Sequence, residues 1–154
     1  MEKRITLIKN FISIQECDVI IQHYTTDKSK SIDFLNKKIK NYLKEIKHNY
    51  SDINISEIQF NDISIENTTA IFLKESKYDI TFLIGLNSNF EGGRFIFLNK
   101  EINKNMHMNN SPGDMIGFFS NIEYGNGKII NGTKYYLKIS INNILNLNSP
   151  KSLI

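Results

Sequence analysis

The stretch Phe82-Leu83-Ile84-Gly85-Leu86-Asn87-Ser88-Asn89-Phe90-Glu91-Gly92-Gly93-Arg94-Phe95-Ile96-Phe97 constrains this chain more than any other. An apolar run gives way to a polar turn closed by two glycines, and a second apolar run follows. Short apolar runs bounded by Asn, Ser and Gly read as strands. Paired glycines supply backbone conformations that other residues reach only with strain. The segment therefore predicts two strands joined by a turn.

The rest of the chain is read around that pair. Met1 to Asn10 reads as a short first strand. Ser13-Ile14-Gln15-Glu16 has the pattern of a capping box, in which the Ser side chain and the Glu side chain each satisfy a backbone N–H of the first turn. A helix follows to about Tyr24, with Ile14, Cys17, Ile20 and Ile21 on one face. A second helix runs from about Ile32 to His48, with Leu35, Ile39, Tyr42, Leu43 and Ile46 at helical spacing. Lys37, Lys38, Lys40, Lys44 and Lys47 fall on its other faces and read as a solvated surface. No stacking aromatics interleave with them as a nucleic-acid site would require. From about Ile53 the period changes to that of strands, at Ile55–Phe60, Ile63–Asn67, Ala70–Lys74, Ile80–Leu86, Arg94–Leu98, Asp114–Phe119, Lys128–Ile130 and Lys134–Asn142. Gly125 and Gly127 read as turn residues. Residues 145–154 read as a tail.

Two helices followed by about eight strands is an α+β order, with both helices packed on one outer face of a sheet. Eight strands in two sheets make a jelly roll. The 154 residues suit one domain spanning 1–154 with a sizeable core, helices about 13–48 and strands about 53–142. Hydrophobic content of 40% places the chain among globular sequences, not disordered ones. The net charge of +3 favours solubility and does not by itself imply nucleic acid. A lone Cys17 excludes an internal disulfide and fits a reducing compartment, so an intracellular, cytoplasmic location is expected, or the cytoplasm of a host if the protein is viral. No apolar run reaches membrane-spanning length, and the charged start Met1-Glu2-Lys3-Arg4 is unlike a signal peptide.

The pattern resembles the iron(II)/2-oxoglutarate oxygenases of the prolyl 4-hydroxylase type. Four segments carry the resemblance in order. Phe11 to Ile21 is similar to that family's opening helix, and Phe82 to Phe97 to its central "L-N-x-x-F-x-G-G" strand pair. Ser111-Pro112-Gly113-Asp114-Met115-Ile116-Gly117-Phe118-Phe119 is similar to its Pro/Gly strand, and Gly132-Thr133-Lys134-Tyr135-Tyr136-Leu137 to its closing segment. The resemblance implies a double-stranded β-helix, that is, a jelly roll of about eight strands with two N-terminal helices on one sheet. It places Lys134 where the family's basic residue receives the distal carboxylate of 2-oxoglutarate, since a carboxylate shielded from water must be paired. The competing reading of Lys134 is an outward-facing lysine on a half-exposed strand.

The chain departs from the family at the metal. The family's His-x-Asp would fall on Glu75 and Lys77; other registers place Ser76 and Tyr78, or Lys77 and Asp79, there. No register supplies a histidine, because none occurs between His48 and His107. The distal histidine, ten residues before the basic residue, falls on Tyr124. Non-haem iron(II) is held by two imidazoles and a carboxylate, whereas all-oxygen sites suit other metals. Tyr124 reads more readily as a core or rim residue than as a ligand.

His23 and His48 lie at helix ends, His107 in a mostly polar loop, and Cys17 on a buried helix face. The expectation is therefore a degenerate, non-catalytic oxygenase-fold domain that acts as a binding or scaffolding module, with no cofactor. Its partner is an unknown protein or a small acid held by Lys134, not nucleic acid or membrane. Two alternatives stand beside it. One is an active hydroxylase that uses iron(II), 2-oxoglutarate and atypical ligands such as His107 or Asp79. The other is a viral structural jelly roll.

Overall fold

The computed structural model describes residues 5–23, 28–45, 52–60, 80–99 and 104–142. The order is β1 (Ile5–Ile8), α1 (Ile14–His23), α2 (Lys28–Glu45), β2 (Asp52–Phe60), β3 (Ile80–Gly85), β4 (Phe90–Gly92), β5 (Phe95–Asn99), β6 (Lys104–Met108), β7 (Met115–Phe119), β8 (Tyr124–Asn126), β9 (Ile129–Gly132) and β10 (Lys134–Asn142). The pairings among these strands are antiparallel.

The five strands β1-β7-β3-β10-β2 form one sheet, and β6-β5-β8 with β4-β9 form a second layer. Gly93 and Arg94 separate β4 from β5, and Gly127 and Lys128 separate β8 from β9. Each pair thus continues one strand path across an interruption, with a register shift at Glu91/Gly92. The helices follow β1, precede the other strands and pack on the outer side of the larger sheet. This is the expected α+β arrangement.

The capping box forms as the sequence predicts. The Ser13 N–H donates to Glu16 Oε1 at 2.8 Å, and the Glu16 N–H donates to Ser13 Oγ at 3.0 Å. Glu16 also receives Lys38 Nζ at 3.4 Å, and Lys38 donates to the Phe11 carbonyl at 2.8 Å. Lys38 is therefore half-buried and ties α2 to the start of α1, while Lys37, Lys40 and Lys44 are exposed as expected.

Alternation along the strands creates two cores, one on each face of the larger sheet. Phe82 and Ile84 of β3, Met115 of β7, and Leu137, Ile139 and Ile141 of β10 meet Cys17, Ile20, Leu35, Ile39 and Leu43 of the helices. Leu83, Ile116, Phe118 and Tyr136 point the other way and meet Phe95, Phe97 and Tyr124 of the second layer.

Several boundaries differ from the sequence reading. Helix α2 begins at Lys28, four residues early, and β2 begins at Asp52. Ile14 is 62% exposed and leaves the helix face to Ile12, Cys17 and Ile20, because the first residue of the helix still points away from the sheet. Strands β4, β6 and β8 were not anticipated. Their composition is polar or glycine-containing, and each is defined by the ladder its neighbour offers and not by its own propensity. The expected strands at 63–67 and 70–74 lie outside the described residues.

Candidate functional site

Lys134 opens β10, and the strand's alternation puts its side chain on the same inward face as Tyr136. It is 3% exposed, so the outward-facing reading is wrong. The ammonium donates to the Gly93 carbonyl and to Asn126 Oδ1 at 2.6 Å. It lies 3.5 Å from the centroid of the Phe95 ring and 5.1 Å from that of Tyr136. Asn126 in turn donates from Nδ2 to the Tyr136 hydroxyl at 3.1 Å. The Phe95 and Tyr136 rings meet edge to face at 5.0 Å. Burial pushes the Lys134 amine down to about 7. The two oxygen acceptors and the ring face act in the opposite direction, since each favours the charged form.

The double glycine makes this cluster possible. Gly92 and Gly93 both have positive φ, 79° and 67°. A Cβ on Gly93 would stand 2.5 Å from Ile129 Cδ1 and 3.3 Å from Lys134 Cδ. Only glycine lets the chain cross here and turn the Gly93 carbonyl onto the buried amine.

Tyr124 and Asn126 lie two residues apart on β8 and face the same interior, where they pair with Phe97 and Phe95 of β5. Tyr124 is 1% exposed. Its ring lies 5.1 Å from Phe118 and 6.2 Å from Phe97, and Phe97 meets Phe118 at 5.0 Å. The sequence-derived positions 124 and 134 thus converge on one interior, and aromatic side chains fill the space between them.

The remaining candidates fall elsewhere. Glu75, Lys77 and the alternatives Ser76, Tyr78 and Asp79 lie outside the described residues. His107 sits on β6, not in a loop, directly opposite Ile96, and faces away from the interior. It cannot serve the interior as a ligand. Cys17 is fully buried in the helix-side core, and burial raises its thiol to about 11, which fits packing and not nucleophilic chemistry. Sequence reasoning missed Asn126 and the Gly93 carbonyl as the partners of Lys134. Asn126 stands between Gly125 and Gly127 and reads as a turn, so nothing local marks it as a core acceptor.

Among the described residues no three His, Cys, Asp or Glu side chains come together. At the position the resemblance gives to the distal imidazole there is a phenol packed among rings, and the amine beyond it already holds two oxygens. The described side chains do not fit ferrous iron, which needs imidazole donors and a carboxylate on one face.

No protein-family model matches the sequence, and no curated protein does. Solved structures do. A prolyl-4-hydroxylase of Pseudomonas putida aligns over 93% of this chain and 87% of its own, with a TM-score of 0.67 and 6% identity. The fold is that of the prolyl 4-hydroxylase-like oxygenases. A prolyl hydroxylase of Trichoplax adhaerens, solved with a hypoxia inducible factor peptide fragment, gives a TM-score of 0.66 over 90% of this chain and 83% of its own, at 10% identity. A viral collagen prolyl hydroxylase of Paramecium bursaria Chlorella virus-1, solved as a 2OG complex, gives 0.56 over 89% and 94%, at 17% identity. The oxygenase fold is thus kept at identities where few side chains are shared, and the side chains of this interior must be judged on their own.

Proposed function

We propose that this chain is a degenerate, non-catalytic member of the oxygenase fold, a double-stranded β-helix retained as a binding or scaffolding module. The observation that carries the reading is the Lys134 cluster. In the family this lysine position would receive the carboxylate of 2-oxoglutarate. In this chain the amine is committed to Gly93 O and Asn126 Oδ1 and lies against the Phe95 ring. A co-substrate carboxylate would have to compete with Gly93 O and Asn126 Oδ1 for the amine and fit beside Phe95, and Asn126 and Phe95 are both held by Tyr136. Tyr124 at the distal ligand position, buried beside Phe97 and Phe118, supports the same reading.

Incubation with iron(II) and 2-oxoglutarate, followed by measurement of succinate, tests it. The expected result is no succinate above the protein-free background, with or without prolyl peptides. Iron-dependent succinate formation overturns the reading.

A further inference from the structure

A groove of about 670 Å³ lies on the side of the smaller layer that faces away from the Lys134 interior. Arg94, Ile96, His107, Gly127, Lys128 and Ile130 line it, together with the loops at 87–88 and 109–112. Its volume is in the range of ligand sites. Tyr124 opens β8 at the other end of the smaller layer, after the β7–β8 turn, and does not line the groove. Gly93 is the wall between the two regions: its carbonyl meets Lys134 inside, and its backbone lines the groove outside.

Three features define what this groove can hold. First, its charge has one sign. Arg94 and Lys128 are exposed on it, beside the His107 imidazole, and among the described residues no Asp or Glu lines it. Second, apolar surface lies between the cations. Ile130 is 63% exposed, and Ile96 is half-buried beside His107. Third, the floor is open at Gly127. A Cβ there would meet Arg94 and Ile96 only at 3.4 Å or more, which is ordinary contact. Glycine at this place therefore reflects no crowding and leaves room above the strand.

We propose that this groove binds an acidic, partly apolar peptide segment in extended conformation, with Arg94 and Lys128 pairing its carboxylates and Ile96 and Ile130 receiving its apolar side chains. The spacing favours an extended chain. Arg94 and Ile96 are two residues apart along the path into β5, about 7 Å, which is also the repeat of same-face side chains in an extended peptide. Arg suits a carboxylate because its fork donates two parallel hydrogen bonds. Nucleic acid is disfavoured because, among the described residues, no aromatic face is presented as a stacking platform. The Phe90 ring, although it borders the groove, turns toward Gly93 and Lys134. The site is independent of chemistry in the interior, so its test and the succinate assay can fail separately.

The experiment is fluorescence anisotropy on the full chain with a labelled octapeptide carrying glutamate and leucine at alternate odd positions, separated by serines. Saturable binding is expected. It should weaken at least tenfold in the doubly charge-reversed variant Arg94→Glu/Lys128→Glu, and also in Gly127→Leu, which fills the floor. Arg94 and Lys128 are exposed, so an unchanged thermal unfolding transition is expected for that pair, and it decides the matter if Gly127→Leu fails to fold. Three results overturn the proposal: no binding at millimolar peptide, equal binding by the charge-reversed variant, or equally tight binding of a single-stranded oligonucleotide or of the peptide with lysine in place of glutamate.

Discussion

The two faces of the larger sheet carry different cores. Under the helices Phe82 is the one fully buried aromatic residue, set among Ile, Leu, Met and Cys, and the half-buried rings of Tyr42 and Phe11 continue from it edge to face. Between the sheets five of the eight buried residues are aromatic: Phe95, Phe97, Phe118, Tyr124 and Tyr136. The fully buried centre of the helix side is mostly aliphatic, and such cores tolerate repacking as long as volume is kept. The interior between the sheets is organised by edge-to-face ring contacts around a buried amine and amide, where direction matters as well as volume. The fold would be the same with either kind of core. The difference lies between the sheets, in the interior on which the proposed function rests.

The strongest way to break that contrast is to trim a ring. Phe97→Ala should cost about 3–5 kcal/mol in urea unfolding, as for any fully buried aromatic side chain. A cost near zero would mean that the interior behaves as a vacant pocket and not as a core.

The next effect is the pH dependence of the buried amine. The folded-state value of Lys134, about 7, lies below its ordinary value of 10.5, so the folded state releases the proton first. The penalty for burying the charge is complete below pH 7 and is relieved as pH rises toward 10.5. Relative to Lys134→Met, the wild-type chain should gain stability across that window, by no more than about 1.4 kcal/mol per pH unit. Parallel pH profiles for the two proteins would show that the oxygen acceptors and the Phe95 ring keep the amine charged, and would sharpen the picture to a permanent internal cation.

The smallest effect belongs to the helix side. Ser13→Ala removes one arm of the capping box and should cost about 1 kcal/mol. It should leave the near-ultraviolet signal of the aromatic interior unchanged. A change in that signal would show that the two cores are not independent.

Much of this architecture was legible in the chain. The capping box, the apolar faces of both helices apart from Ile14, β3, β7 and β10 carry their period in their own residues, so sequence alone located them. Strands β6 and β8 did not, because Lys-Asn-Met-His-Met and Tyr-Gly-Asn have weak intrinsic preference and are set by pairing with β5. The candidate site divides in the same way. Lys134 and Tyr124 could be named from the spacing of a resemblance, but the partners that hold Lys134 could not. Gly93 lies 41 positions away and contributes only a backbone oxygen. Asn126 looks like a turn residue until the ladder with β5 fixes which way it points.

The linear chain by itself settled the alternation of strands, the placement of two helices between the first strand and the rest, and the lack of any histidine between positions 48 and 107. These are properties of local periodicity and composition. Only the folded arrangement decided that the lysine turns inward, that rings close over it, and that Arg94, Lys128 and the His107 imidazole gather on the opposite surface. Those outcomes depend on contacts between residues distant in sequence, whose orientation is set by strand register, and no local pattern encodes register across such separations.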